Sequence, residues 1–323
     1  MPPSDVSVII VSYNTRALLE QCLGSLPAAA SPLTLQAIVV DNGSSDGSVE
    51  LVRTDFPEVL CLENPGNPGF AHATNRGLEL ATGLVWVWLN SDCECPAGSL
   101  AGLVAALADH PEAGAVGPRL VYGDGRIQPS AQNFPGVSRV LIHFLGLRAL
   151  ANWAPARGLL QALSPFLGRM TRGYLEAIDP HANERSVDWL SGACVATRPE
   201  AARVTGPLDE GYFMYCEDTD WCHRLKDAGW DIRWTPQVTI THHVGGSGGN
   251  SSLATYHYYR SLLRYFARYE SQSLVLLRVF MLGGCLVRGA AAELGRMAGA
   301  GPHPWWRLWN LAWQGPRAWE TRA

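Results

Sequence analysis

Lysine is almost missing from this 323-residue chain: Lys226 is the only one. No lysine can therefore cradle phosphate near the N-terminus. Acidic residues are missing from Gly125 to Leu175, although that stretch carries six arginines, Arg126, Arg139, Arg148, Arg157, Arg169 and Arg172. The eight cysteines contain no CxxC pair, and Cys93 and Cys95 stand too close in sequence for an easy bridge. They read as mostly buried, reduced thiols, which suits a cytoplasmic chain. No apolar run reaches the length of a membrane-spanning helix; the nearest, Leu274 to Ala292, is broken by Arg278 and Arg288. The N-terminus runs from Met-Pro-Pro-Ser-Asp straight into Val6 without a charged segment ahead of an apolar one, so no signal peptide is expected. Internal repeats and low-complexity tracts are also missing.

Hydrophobic residues make up 47% of the chain and charged residues 17%, enough to bury a sizeable core. The net charge of -4 excludes nucleic-acid binding by bulk charge. The length suits one large domain with appendages, or two domains.

The first 120 residues alternate short apolar runs with helical patterns. Val6 to Val11, Ala37 to Val40, Val59 to Leu62 and Leu84 to Leu89 read as strands. Leu18, Leu19, Cys22, Leu23 and Leu26 recur at helical spacing, Phe70 to Ala81 reads as a helix, and Leu100, Leu103, Val104 and Leu107 mark another. Such alternation implies a parallel sheet with helices on both faces. Later strands are expected at Val187 to Leu190, Ala193 to Thr197 and Val238 to Thr241, with helices after Glu217-Asp218 and over Tyr256 to Tyr269. Ligands of such sheets sit beyond the carboxyl ends of the strands. Polar clusters fall at those ends: Ser12-Tyr13-Asn14, Asp41-Asn42-Gly43 and Asn90-Ser91-Asp92.

Four motifs carry candidate chemistry, each with a plainer alternative. Asp92 closes a buried strand, where a carboxylate is costly without a partner. A divalent cation bridging to diphosphate is one partner; a turn or helix N-cap is the other reading. Glu217, Asp218 and Asp220 crowd a helix start ahead of Trp221, Cys222 and Leu225. They serve either as a general base with a shifted pKa or as capping charges. The turn Asn64 to Gly69 feeds a helix carrying Asn75 and Arg76, and Gly69 permits close backbone approach to an anion; an ordinary tight turn explains it equally. His242-His243 precede a glycine-rich stretch, Gly245 to Gly249. Imidazole suits Mn2+ or Zn2+ better than Mg2+, but a histidine pair is also a common structural feature.

The order of these motifs resembles the family 2 glycosyltransferases, in particular the bacterial rhamnosyltransferase-like branch. The matching text is VSVIIVSYNTRALLEQCLGSL, VVDNGSSDGSVELV, NPGNPGFAHATNRGL, VWLNSDC, GPRLV, WLSGACVATR, GPLDEGYFMYCEDTDWCHRLKDAGW and THHVGGSGG. It covers residues 5 to about 268. The resemblance implies an α/β fold of the GT-A type: a Rossmann-like mixed sheet with flanking helices. It places the donor nucleotide against Ser12, Tyr13, Asn14, Asp41 and Asn42, with Gly69, Asn75, Arg76 and Ser91 nearby. Trp189, Ser191 and Gly192 lie in the stretch that lines donor sugar or acceptor. Asn90 and Asp92 match a two-acid metal motif whose first acid is Asn here, leaving Asp92 as the main ligand. His242 or His243 stands where a residue can complete the metal shell, and Asp218 matches the catalytic base. The expected cofactor is Mg2+ or Mn2+, and the expected donor a dTDP- or UDP-sugar. The expected acceptor is a glycan or lipid-linked hydroxyl in cell-surface polysaccharide synthesis, and transfer proceeds by one inverting displacement. A nucleotidyltransferase, and a non-catalytic carbohydrate-binding relic, are the competing classes. The first lacks its Gly-rich, basic loop after the first strand; the second should have lost Asp41, Asp92 and Asp218, which are all present.

The expected organisation is a transferase domain over 1–268, interrupted by the basic, apolar insert 125–175, and a Trp- and Arg-rich helical extension over 269–323. Leu141, Phe144, Leu145, Leu147, Leu159, Leu160, Leu163, Phe166 and Leu167 lie between the insert's arginines, and Trp305, Trp306, Trp309 and Trp313 recur at near-helical spacing beside Arg307. Both segments read either as surfaces for an anionic membrane or as packing surfaces, including a homodimer stripe. The expected location is the cytoplasm, with peripheral contact to the cytoplasmic face of the inner membrane.

Overall fold

The computed structural model describes residues 4–136, 179, 182–243, 251–297, 305–315 and 319. The basic insert therefore lies mostly outside the described residues, as does the glycine-rich stretch after His243. The described chain forms two compact units. One comprises 1–133, 176–210 and 217–248; the other 134–175, 211–216 and 249–323.

In the first unit, β1 (Val6–Ser12), β2 (Leu35–Asp41), β3 (Leu60–Glu63) and β4 (Val85–Asn90) pair in parallel in the order β3-β2-β1-β4. They are joined by α1 (Arg16–Ala30), α2 (Ser48–Asp55) and α3 (Phe70–Leu78). β1 and β2 are apolar on both sides because helices cover both faces. Leu19, Cys22, Leu23 and Leu26 of α1 pack with Val8, Ile10 and Val39 on one face. Ile9, Ile38, Val40 and Ala73 form the core of the other. Gly77 is required there: a Cβ at that position would stand 2.3 Å from a methyl of Ile9.

The chain then continues through β5 (Cys93–Glu94), α4 (Ser99–Asp109), β6 (Ala113–Val121), β7 (Ile127–Gln128), β8 (Ala131–Gln132), β9 (Arg185–Ser186), β10 (Trp189–Leu190), β11 (Cys194–Thr197), α5 (Pro199–Thr205), α6 (Glu217–Asp227) and β12 (Asp231–His242). The sheet extends as β4-β11-β6-β12-β5. Here the sheet becomes mixed, as the GT-A resemblance implies. β11 runs antiparallel to both β4 and β6. A four-residue apolar run carries no direction of its own; the chain doubles back through the antiparallel β8–β10 pair just before it. β12 is also longer than the expected Val238 to Thr241. It holds Pro236, and its register against β6 shifts between Thr235 and Thr239, a bulge that hides the alternation of a single strand.

The second unit contains α7 (Ser251–Tyr269), α8 (Ser271–Met297) and α9 (Trp305–Gln314). Tyr259, Leu262, Leu263 and Phe266 of α7 share a core with Leu277, Met281 and Cys285 of α8 and with Leu308 and Leu311 of α9. That shared core places α7 in the same compact unit as the later helices. No described helix is long and apolar enough to cross a membrane. All eight cysteines are free thiols, and seven are buried. Burial pushes the Cys95 thiol up to about 12.

Candidate active site

The carboxyl ends of β1, β2 and β4 bring the first polar clusters together. Ser12 and Asp41 are register partners, and Asn42 N–H donates to the Ser12 carbonyl at 2.8 Å. Asp41 is buried. Its carboxylate accepts from the Ser44 amide at 2.7 Å and the Ser44 hydroxyl at 2.5 Å. Asn14 adopts the left-handed region, φ 52, and its Oδ1 accepts from the Ser45 amide at 2.8 Å. The 41–47 turn is thereby fastened to the end of β1, with the Tyr13 ring exposed beside it. A buried hydroxyl chain, Ser12 to Thr15 at 3.3 Å and Thr15 to Ser91 at 2.9 Å, ties this end to the loop after β4.

That loop carries Asp92, and β5 pairs His242 with Cys93. His242 Nε2 lies 3.1 Å from Asp92 Oδ1 and 3.3 Å from Asn90 Nδ2. Its Nδ1 lies 3.0 Å from Gln128 Oε1. With Nδ1–H donating to Gln128, the Nε2 lone pair faces the Asp92 carboxylate and accepts from the Asn90 amide. Two acceptors at that distance need a shared cation or a proton between them, so Asp92 and His242 fit a divalent ion with open positions for phosphate oxygens. Asp92, Cys93 and His242 offer ligand atoms within 4.8 Å of one another. The Cys93 thiol, however, donates to the Ala193 carbonyl, and burial pushes its pKa well up, so it remains a thiol. His243 is turned away, with Nε2 3.2 Å from Glu94.

The acidic cluster separates into three different roles. Asp220 is fully buried and accepts from Arg224 Nε at 2.9 Å. Arg224 in turn donates to the carbonyls of Thr205 and Pro207 at 2.6 and 2.8 Å, so this ion pair braces the chain ahead of α6. Asp218 accepts from Gly192 N–H at 2.8 Å, from Thr219 N–H at 2.7 Å and from the Thr219 hydroxyl at 3.1 Å. Burial raises its pKa, and those donors pull it part of the way back. Glu217 is also buried, and its Oε2 has no hydrogen-bond partner. Burial and then the adjacent Asp218 charge push it well above the usual carboxylate range. Of the two neighbouring carboxyls, half-buried Asp218 has donors that favour its charged form, whereas buried Glu217 Oε2 has none and is pushed further toward the neutral form. Tyr215 and Cys216, directly before α6, hold φ 66 and 64, the backbone strain that accompanies functional turns.

Two consecutive residues connect Asp218 to the end of β4. Gly192 N–H meets Asp218, and the neighbouring Ala193 carbonyl accepts from Asn90 N–H at 2.9 Å. A Cβ on Gly192 would sit 3.4 Å from Asp218. Trp221 of α6 packs edge-on against Trp88 of β4, ring centroids 4.8 Å apart, which docks the helix bearing Asp218 on the strand that ends at Asn90.

Other expected residues serve as struts. Asn75 donates to the Leu208 carbonyl at 2.9 Å and to Glu210 at 3.1 Å, and accepts from Leu208 N–H at 2.9 Å. Arg76 donates to the Glu63 carbonyl at 3.1 Å and to Asn64. The Gly69 carbonyl accepts from Asn42 at 3.3 Å, and Trp189 Nε1 donates to Asn133 O at 3.0 Å. The sequence reading missed Thr15, Thr219 and Gln128. The first two adjoin residues it named; Gln128 gives no local signal, because its partner is 114 positions away.

A mixed sheet whose strand ends gather Ser12, Asp41 and Asp92, with His242 beside Asp92 and the Asp218 carboxylate held by donors, is the arrangement of a GT-A-type glycosyltransferase. The chain belongs to the family described as Glycosyl transferase family 2, whose profile matches residues 7–158, and it is a glycosyltransferase. It is 34% identical over 267 residues to the N-acetylglucosaminyl-diphospho-decaprenol L-rhamnosyltransferase of Mycobacterium tuberculosis, covering 77% of this chain and 80% of that one. It is 36% identical over 84 residues to the rhamnosyltransferase WbbL of Escherichia coli, 25% of this chain and 31% of that one. Among solved structures, the mannosyltransferase PcManGT from Pyrobaculum calidifontis, in complex with GDP-Man and Mn2+, shares the fold. Its TM-score is 0.56 at 22% identity, over 99% of this chain and 84% of that one.

Proposed function

We propose that the chain transfers rhamnose or a similar hexose from a dTDP- or UDP-sugar to a hydroxyl of a lipid-linked glycan acceptor, with inversion, in cell-surface polysaccharide synthesis. The observation that carries the reaction class is Asp218, a half-buried carboxylate held by three donors and raised in pKa, beside Glu217, whose pKa is pushed well above the usual carboxylate range. Asp218 takes the proton of the acceptor hydroxyl as its oxygen bonds to the anomeric carbon. The bond from that carbon to the diphosphate oxygen breaks, and nucleoside diphosphate leaves. One base and no paired nucleophile gives inversion. Ser12, Tyr13, Asn14 and Asp41 bind the nucleotide, with Ser91 and Asn42 fixing the loops around it. Asp92 and His242 hold a divalent cation, which when bound neutralises charge on the departing diphosphate; the imidazole favours Mn2+ over Mg2+.

The mycobacterial relative, named for rhamnosyl transfer to a decaprenol-linked N-acetylglucosamine diphosphate, supports the choice of sugar and acceptor. An acceptor anchored in lipid presents its hydroxyl at a bilayer, and nucleotide-sugars reach it from the cytoplasmic side, which makes the chain a peripheral enzyme of that face. The test is incubation with dTDP-rhamnose and a polyprenyl diphosphate-linked N-acetylglucosamine. Free dTDP and a rhamnosylated lipid of inverted anomeric configuration are expected. Pyrophosphate release, or retention at that carbon, would overturn the assignment.

A further inference from the structure

The geometry points to the outer face of α8 and α9 as a docking surface for an anionic phospholipid bilayer. α8 has two stripes. Leu277, Met281 and Cys285 are buried at four-residue spacing, as a core-facing stripe should be. On the opposite side Val275, Leu276, Val279 and Leu286 are 68%, 48%, 57% and 48% exposed. A helix facing water alone would place charges there. The charge within this span, Arg278, is turned aside: its guanidinium donates to the carbonyls of Ala312 and Trp313 at 2.8 and 3.1 Å. That same contact holds the end of α9 against the 275–279 turn. From α9, Trp306 and Trp313 are 47% and 67% exposed, and the Trp309 ring stacks on Trp313 with centroids 6.3 Å apart. Tryptophan is suited to the headgroup level of a membrane.

Charge selects the occupant. The segment 249–323, which contains these helices, carries nine arginines against three glutamates, a net +6, in a chain of net -4. Two copies meeting through such a segment would repel, whereas anionic headgroups attract it. No described helix can cross a membrane, so the helices lie on the surface with the apolar stripe and tryptophans in the headgroup layer. The inference uses the lipid-linked acceptor reading only for the reason a bilayer is nearby.

The experiment is flotation of the full chain with vesicles of equimolar phosphatidylglycerol and phosphatidylcholine, against vesicles of phosphatidylcholine alone. Binding to the anionic vesicles is expected, falling as salt is raised. The double variant V275E/V279E, and separately W313S, should lose about tenfold or more in partitioning while nucleotide-sugar hydrolysis and the far-ultraviolet circular dichroism stay as in the unaltered chain. Tryptophan fluorescence quenched by brominated lipid tests the same contact without any substitution. Equal binding to neutral vesicles, no quenching, or variants that float unchanged would overturn the proposal. So would a dimer in light scattering that the variants split while vesicle binding is absent. Flotation needs no sugar transfer, so loss of the acceptor assignment and loss of docking are read separately.

Discussion

Replacing Glu217 by Gln isolates the carboxyl of the Glu217–Asp218 pair whose Oε2 has no donor. In the unfolded chain Glu217 ionises near the ordinary value of about 4.3. In the folded chain burial and the Asp218 charge raise it well above that. The folded state therefore binds a proton that the unfolded state has lost, and stability falls as pH rises. The contribution is fully present below the unfolded value and declines until the folded value is passed. The slope across that window is about 1.4 kcal/mol per pH unit. For a domain of this size that is roughly 3–6 °C in Tm per unit. Asp218 contributes with the same sign and is present in both proteins, so the difference reads Glu217 together with its interaction with Asp218. E217Q, isosteric and unable to ionise, should lack this slope and gain on the unaltered chain at each step from about pH 5 upward. Thermal melts of both proteins across that range read the difference directly. Turnover adds a second reading: E217Q should stay within a few-fold of the parent, because a carboxyl pushed toward its neutral form is not the base. D218N should fall by about 10²–10⁴, or roughly 3–5 kcal/mol of barrier, with nucleotide affinity nearly intact. The activity of the parent should be lost as pH falls through the raised Asp218 value. Parallel melting curves would refute the raised Glu217 pKa. Collapse of turnover in E217Q with survival in D218N would reverse the two roles.

Two further outcomes test the supports around the site. Gln128→Ala removes the acceptor for His242 Nδ1–H; Mn2+ affinity, read by paramagnetic resonance, should drop about 10–100-fold with little change in Tm. Asn75→Ala leaves Leu208 N–H and C=O without their buried partner and should cost about 2–3 kcal/mol in urea unfolding. The KM for donor should stay unchanged, since all of its polar groups are spent within the protein.

The legible part of this molecule was what is local. β1 through α4 follow from apolar runs and helical spacing because those signals lie within a few residues. The polar residues at the strand ends follow from the geometry of parallel sheets. Three things were not legible. The direction of β11 is set by a long connection, not by Cys-Val-Ala-Thr itself. The meeting of His242 with Asp92 depends on β12 reaching β5 across the sheet, a pairing some 150 positions apart. And the roles within Glu217, Asp218 and Asp220 depend on which carboxyl receives donors: Gly192 and Thr219 for one, Arg224 for another, none for Glu217 Oε2. Spacing alone made the three equivalent.

Asn90 gives the metal corner its character. An imidazole that binds a cation adds no charge and neither does the Asn90 amide, so among the described residues Asp92 is the one acid of this corner that would face a divalent cation. The cation would keep a net positive charge and open positions, which a nucleoside diphosphate fills with oxygen ligands and at least two negative charges. Cation and nucleotide should therefore bind cooperatively, each raising the affinity of the other by the same factor, about 5–150-fold for a coupling of ordinary size. Calorimetric titration of Mn2+ with and without dTDP measures the factor, and titration of dTDP with and without Mn2+ must return it. Asn90→Asp supplies a second carboxylate; it should tighten Mn2+ in the nucleotide-free protein and shrink the coupling. Equal Mn2+ affinity with and without nucleotide in the parent chain would mean that the cation is held by the protein alone, and Asn90 would then have no part in tuning it.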